Sequence, residues 1–422
     1  MELRHPTHRA YSRGFYPDDG RDFEVRLLLG YAGSGGSDAG EVLATIDGLD
    51  DGHPDAWAHA WLALGRRVAS SARAAQAAGH TISAASAYLR AANYLSTAFD
   101  GLDGVGTDSA RLAVFAEHRA AWDGFLECGP FTARRIAIPY EDMTLPGWFV
   151  RPDRATEGSA TGGSAGRPTL VMVNGSDGSV SGVWCAGARA ALDRGYNVLL
   201  FDGPGQQSML FEHGVGFRPD WEAVLTPVTD TLLGLPGVDP DRLAVYGISQ
   251  AGYWVPRALA VEHRYAAAVA DPGVVDVSAS WLAHLPKPLA AMLHDPTAAA
   301  KFDRDMKLGM TGQKALQRMW VWRARPYGWD GRYFDVLQKV REYTLTDEMA
   351  AQITTPMLIT SPEGEQFWPG QSERLAAMMT SARTVVVEFT AADGASGHCQ
   401  PMARALTAER MFDWLDATLT SR

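Results

Sequence analysis

Leu243-Ala-Val-Tyr-Gly-Ile-Ser249-Gln-Ala251-Gly252-Tyr-Trp-Val-Pro-Arg257 decides how this chain folds. Leu243 to Tyr246 make a short apolar run, Gly247 to Gly252 are small or polar, and an amphipathic segment rich in Ala and Leu follows. The pattern predicts a strand, a sharp turn carrying a serine, and a helix, which is the geometry of a nucleophile elbow. Small residues flank the serine because it sits in a strained backbone conformation where strand and helix nearly touch. Its Oγ then stands clear of the sheet at the positive end of a helix. The usual spacing is G-x-S-x-G, whereas here Ala251 holds the last position and Gly252 follows. One added methyl group still permits close packing.

Apolar runs recur on both sides of this stretch. Arg134-Arg-Ile-Ala-Ile-Pro139-Tyr and Gly147-Trp-Phe-Val-Arg-Pro152 read as a hairpin. Thr169 to Val173, Tyr196 to Phe201, Leu243 to Tyr246, Tyr265 to Ala270, Met357 to Thr360 and Thr384 to Glu388 read as strands, mostly separated by helical patterns. Such alternation predicts an α/β fold, a mostly parallel sheet covered by helices on both faces. Its ligand crevice would lie at the carboxyl edge. Arg154 to Arg167 is a low-complexity surface loop.

Ahead of the sheet the periodicity is helical. Residues 1–30 are mixed polar and aromatic, and Tyr31 to Gly40 reads as a flexible Gly/Ser stretch. A long helix starts near Asp51, Pro54 and Asp55, carries Trp57 and Trp61, and stops at Gly79. A second starts at Thr81 and a third covers Asp108 to Leu126. Between Asp271 and Met349 the pattern is again helical and rich in large residues, among them Trp281, Phe302, Trp320, Trp322 and Tyr327. That insertion falls where it would cap the serine. The expected division is therefore an N-terminal helical domain over 1–130, sheet core over 131–270, a helical lid insertion over 271–349, and the rest of the core over 350–422.

At 422 residues the chain can bury a large core, and 46% hydrophobic with 21% charged residues is globular composition. A net charge of −11 argues against nucleic acid or anionic membrane as a partner. No apolar run approaches a membrane span, and the first residues lack the apolar core of a signal peptide. Three well-separated cysteines (Cys128, Cys185 and Cys399) suggest free thiols and a cytoplasmic location. No Cys/His spacing suits zinc and no glycine pattern suits a nucleotide, so the expectation is no metal or organic cofactor.

A serine hydroxyl becomes a nucleophile when a base takes its proton, and the base works best when a carboxylate orients it. With the serine at the elbow, the acid and then the histidine follow in chain order. His398 lies in Gly394-Ala-Ser-Gly-His398-Cys-Gln, just after the last strand. For the acid, Glu363 and Glu365 compete in Ser361-Pro-Glu363-Gly-Glu365-Gln-Phe-Trp-Pro369, and Glu365 is preferred for its spacing to Pro369. Asp393 reads as a turn residue, and Asp271 as an outside choice. The developing oxyanion needs N–H donors. Gln250, next after the serine, supplies one, and Ser176 in Asn174-Gly175-Ser176-Asp177-Gly178 the other, with Asp177 as its alternate. Asp202-Gly-Pro204-Gly205-Gln206 is a turn at the same sheet edge that supports the site from behind.

With these loops in place the chain resembles α/β-hydrolases of the 2,6-dihydroxypseudooxynicotine hydrolase type, and is similar to fungal heptaketide-shortening hydrolases. The likeness rests on Trp57 to Tyr94 with Ser83-Ala-Ala-Ser-Ala-Tyr-Leu-Arg90, the Pro139-Tyr-Glu141 hairpin, the Asp202-Gly-Pro-Gly turn and the Ser249 elbow. It implies an α/β-hydrolase fold and cleavage of a C–C bond beside a ketone, in β-diketone-like or aromatic ketone substrates, by a Ser-Asp-His triad. Carried over, the nucleophile is Ser249, the base His398 and the acid Glu365. It also implies a helical domain that helps cover the site and takes part in a homodimer. Two departures are Ala251 for glycine and Glu365 for the usual Asp. The same triad would serve a carboxylesterase, or an acyltransferase or cyclase. A non-catalytic ligand-binding protein of this fold is disfavoured by the presence of both Ser249 and His398.

Overall fold

Continuous apolar runs become adjacent buried strands in the computed structural model, which describes residues 10–49, 55–102, 107–152 and 166–420. The strands are β1 (Phe131–Tyr140), β2 (Met143–Pro152), β3 (Arg167–Val173), β4 (Asn197–Phe201), β5 (Val238–Ile248), β6 (Ala267–Asp271), β7 (Met357–Pro362) and β8 (Thr384–Phe389). They form one eight-stranded sheet in the order β1-β2-β4-β3-β5-β6-β7-β8. The β1–β2 hairpin is antiparallel and joins antiparallel to β4, while β4 through β8 pair in parallel. Every residue of β4 and β6 is buried, as a parallel strand covered on both faces requires. β8, at the edge, exposes Val386 and Glu388.

Successive side chains on a strand point to opposite faces, so neighbours enter different cores. Leu170, Met172, Val198, Leu200 and Tyr246 pack with Trp61, Tyr94, Phe115 and Trp122 of the N-terminal helices and Phe412 of the final helix. Val171, Val173, Leu199 and Val245 pack on the other face with Trp221, Trp254, Phe302 and Phe334. The first core joins the sheet to the Ala56–Ala77, Thr81–Gly101 and Asp108–Cys128 helices. Glycines let these helices approach closely: a Cβ on Gly65 would lie 2.8 Å from Leu95 Cγ, and one on Gly124 2.7 Å from Tyr88 Cζ. The second core holds the helical segment between β6 and β7, which includes Ala299–Gly309, Lys314–Ala324 and Tyr333–Arg341.

One N-terminal helix was not singled out from the sequence, and one expectation changes. The polar and aromatic start contains an Asp19–Tyr31 helix, capped by the Asp18 side chain accepting from Arg21 N–H. The Gly/Ser stretch after it is packed rather than flexible. Ser37 Oγ donates to the Leu28 carbonyl, and Asn93 Nδ2 donates to the Gly36 carbonyl at 2.8 Å. A side chain on Gly36 would overlap Cys185 Sγ, so glycine there serves close approach. The start signals Asp51 and Pro54, and most of the Arg154 to Arg167 loop, lie outside the described residues. All three cysteines are free thiols. Among the described residues, no helix is long and apolar enough to cross a membrane.

Candidate active site

The elbow forms where the end of β5 meets the Ala251–Leu259 helix. Ser249 has φ +57, in the left-handed region that non-glycine residues rarely occupy. Hydrogen bonds hold it there: its N–H donates to the Asp271 carbonyl at 2.6 Å, and its carbonyl accepts from Gly252 N–H at 2.8 Å. The two flanking glycines have separate jobs. A Cβ on Gly247 would lie 2.8 Å from Val255 Cγ2, and one on Gly252 would overlap the Pro272 carbonyl just past β6. Ala251 is fully buried without such a conflict in the core on its side of the sheet. The close approach thus falls at Gly252, which accounts for the altered spacing of the motif.

Ser249 Oγ lies 2.8 Å from His398 Nε2. On the far side of the ring, His398 Nδ1 lies 2.9 Å from Glu365 Oε2 and 3.1 Å from Oε1. The side chains of His398 and Glu365 are only 5% and 7% exposed, so the pair is shielded from competing water. Glu365 Oε1 also accepts from the backbone N–H groups of Phe367 (2.9 Å) and Trp368 (3.2 Å). Burial pushes the carboxyl up, but His398 and these N–H groups outweigh it and hold Glu365 below its ordinary range. An ionised carboxylate can only accept, so Nδ1 carries the ring hydrogen and Nε2 is free to take the serine proton.

The competing carboxylates point elsewhere. Glu363 Oε2 accepts from Ala391 N–H at 2.6 Å, and its carbonyl accepts from Gly397 N–H at 2.8 Å, which ties it to the histidine loop through its ends. Asp393 bonds Thr390 Oγ1 and Arg410 at the surface. Asp271 is fully buried beneath the elbow, where it accepts from Tyr246 Oη (2.6 Å), Thr360 Oγ1 (2.6 Å) and Gln400 Nε2 (2.9 Å). Glu365 is the carboxylate at the imidazole.

The Asn174 to Gly178 loop lies against the serine: a Cβ on Gly175 would stand 2.9 Å from Ser249 Cβ. Asn174 Oδ1 occupies the Gly175 N–H at 2.8 Å. Gln206 Nε2, from the Asp202 to Gln206 turn, holds the carbonyls of Asn174 (2.7 Å) and Gly175 (3.1 Å). The backbone N–H groups of Ser176 and Gln250 have no protein acceptor among the described residues. Asp177 Oδ1 accepts from Ser176 Oγ at 3.2 Å and is exposed.

Several residues here have no motif to announce them. The Asp19–Tyr31 helix brings the Phe23 ring to 6.4 Å from the His398 ring. Phe367 stands edge-on to His398 at 4.7 Å. Glu24, next to Phe23, is pushed up to about 7 by burial and by the nearby Asp177. Tyr327 Oη donates to Gln250 Oε1 at 3.1 Å, and Gln250 Nε2 is buried without a partner among the described residues. The Asp18 cap and the Val25, Leu28 spacing are the signals that would have revealed the first of these elements.

Comparison with known proteins gives a consistent picture. Residues 170–410 match the model of the alpha/beta hydrolase family. Hydrolase LUC6 of Fusarium sp is 30% identical over 428 residues, spanning 96% of this chain and 98% of its own. The 20-hydroxy-prefusarin hydrolase FUS2 of Gibberella moniliformis is 27% identical over 97% of this chain and 98% of its own. Among solved structures, 2,6-dihydroxy-pseudo-oxynicotine hydrolase superposes with a TM-score of 0.70 at 19% identity, covering 94% of this chain and 96% of that one. Sheet order, elbow position and family match agree: the chain belongs to the alpha/beta hydrolase family.

Proposed function

We propose that this protein is a serine hydrolase that cleaves a C–C bond beside a ketone, in a β-diketone or an aromatic or polyketide-like substrate. The observation that carries the reading is the unbroken chain of contacts from Ser249 Oγ through His398 to Glu365, at 2.8 Å and 2.9 Å. The full-length similarity to a hydrolase whose name gives 20-hydroxy-prefusarin as its substrate supports the substrate class. His398 Nε2 takes the Ser249 proton as Oγ bonds to the carbonyl carbon, and Glu365 stabilises the imidazolium. The N–H groups of Gln250 and Ser176 hold the oxyanion. Collapse breaks the C–C bond, and the departing enolate takes the proton from His398. Water then gives a proton to His398 while its oxygen attacks the acyl ester, and Ser249 leaves with that proton. The balance is one ketone bond plus one water giving a carboxylic acid and a shorter ketone.

A second reading, acyl transfer or cyclisation, is favoured by the aromatic surround of His398. Phe23, Phe367 and Trp368 give the imidazole an apolar surround that would disfavour water and let another nucleophile take its place. A carboxylesterase would use the same groups. A cytoplasmic homodimer acting on a small-molecule ketone or ester, with residues 1–130 and 271–349 as separate helical units around the core, completes the proposal.

Intact-mass detection of an acyl adduct on Ser249, with 1,3-diketones and aryl esters in parallel and Ser249→Ala as control, tests it. Diketone adducts absent from the control are the expected result. Adducts from esters alone shift the assignment to esterase or acyl transfer, and no adduct from either overturns the serine mechanism.

A further inference from the structure

Arg323 lies on the Lys314–Ala324 helix, in the segment between β6 and β7. Its guanidinium carbon stands 4.7 Å from the centre of the Trp281 ring and 5.8 Å from that of Phe367. Phe367 touches the His398 ring, at 4.7 Å between centres. Trp281 meets Tyr327 at 5.6 Å, and Tyr327 bonds the Gln250 side chain beside the nucleophile. The guanidinium is therefore bracketed between a residue that touches the base and one linked to the elbow.

This cation lacks what other inward-facing arginines of the chain have. Arg119 pairs with Asp202, Arg257 with Glu222, and Arg404 approaches Asp271. Arg323 makes no ion pair among the described residues, and its one hydrogen bond is a long one from Nη2 to Ser280 Oγ at 3.4 Å. Two Arg119 nitrogens are sealed in the interior without partners, whereas no Arg323 nitrogen is. Its spare N–H groups therefore keep some accessible surface. Burial pushes the guanidinium down, with Asp177 and Tyr327 opposing. A cation partly withdrawn from water, with the Asp177 charge nearby but not paired to it, gains from an anion that bonds its spare donors.

We infer that Arg323 is a specificity-determining residue whose guanidinium receives a planar oxyanion of the substrate. That group is a carboxylate or the enolate of an acidic 1,3-dicarbonyl, set apart from the carbonyl that Ser249 attacks. Two aromatic rings flank the guanidinium, and its fork of donors matches two coplanar oxygens better than a lone hydroxyl or an ammonium would. The inference rests on the function proposed above, because it places the anion relative to Ser249.

The test separates the two. Calorimetric binding to the Ser249→Ala protein, which needs no turnover, would compare benzoylacetate, its neutral methyl ester and indane-1,3-dione, whose enolate is acidic. Both anions should bind about 10- to 100-fold tighter than the ester, the range for a charge-assisted hydrogen bond. Arg323→Met should remove that advantage and Arg323→Lys should restore part of it. Binding by benzoylacetate alone assigns a carboxylate, and by the dione alone an enolate; either supports the inference. Equal affinity for ester and anions, no saturable binding of either anion, or an advantage that persists in Arg323→Met overturns it. Should Arg323→Met fail to fold, as judged by thermal unfolding, the three-ligand comparison and Arg323→Lys decide alone. Fluorophosphonate labelling of Ser249 in the unmodified protein reads the serine mechanism independently of all these outcomes.

Discussion

Glu365 holds the imidazole through both carboxylate oxygens, so its replacement should be felt at the base rather than at the binding site. In Glu365→Gln the amide can offer N–H to Nδ1 and favour the wrong tautomer. Turnover of a neutral aryl ester should fall by about 10³- to 10⁴-fold with little change in KM, measured under saturating substrate. Stability follows the same carboxylate. Its folded-state pKa lies below the ordinary 4.5, so the stabilisation is present above that value and is lost as pH falls through the folded one. The Tm gap between the natural protein and Glu365→Gln should therefore close on acidification. Glu24 has the opposite sign: its carboxyl rises from 4.5 to about 7, so stability is fully present below 4.5 and is lost as pH rises through 7. Glu24→Gln should raise Tm at pH 8 and leave it unchanged near pH 4, which thermal unfolding at the two pH values would check.

The elbow and the helix beneath it show where spacing alone misleads. The fifth position of the motif draws attention to Ala251, yet within the helix the position that excludes a side chain is Gly252, against the Pro272 carbonyl. Gly252→Ala should cost about 1–3 kcal/mol in denaturant unfolding, the usual range for overpacking. Ala251→Gly should cost no more than about 1 kcal/mol, from helix propensity. The strands and the three helices over 56–128 were legible from their periods, and Thr107 caps the third of these helices. Ser249, Glu365 and His398 were legible from loop position, and the structure brings them into contact. Phe23, Glu24 and Arg323 were not, because each belongs to a helix whose local pattern says nothing about the loop it faces. The Gly/Ser stretch before Gly40 was misread for a related reason: composition reports backbone freedom but not the neighbour, here Cys185, that requires it.

Across the molecule, the histidine loop is held between the sheet and the N-terminal segment. Tyr11 Oη bonds Ser396 Oγ at 2.8 Å, and a side chain on Gly30 would overlap the Pro401 carbonyl. Cys399 and Gln400 both adopt positive φ within this loop, a conformation that surrounding contacts must maintain. Gly30→Leu should therefore lower the fluorophosphonate labelling rate of Ser249 by about tenfold or more with no residue of the elbow altered, since a 1 Å misplacement costs about 10²-fold.

Tyr11 and Ser396 are separated by 385 positions. During synthesis the segment around Tyr11 leaves the ribosome long before the loop it will brace exists. It must wait until the intervening residues have been made. A chain stalled between Ser249 and His398 would have its sheet begun and its serine in place but not the imidazole that lies against it. Long-range closure of this kind is slow, and refolding should show native far-ultraviolet dichroism before Ser249 becomes reactive to a fluorophosphonate. Simultaneous recovery of both signals would contradict that order. Under the proposed serine mechanism, reactivity is thereby deferred until the histidine loop has been made, and a shorter nascent fragment is spared from acting on whatever carbonyl it meets.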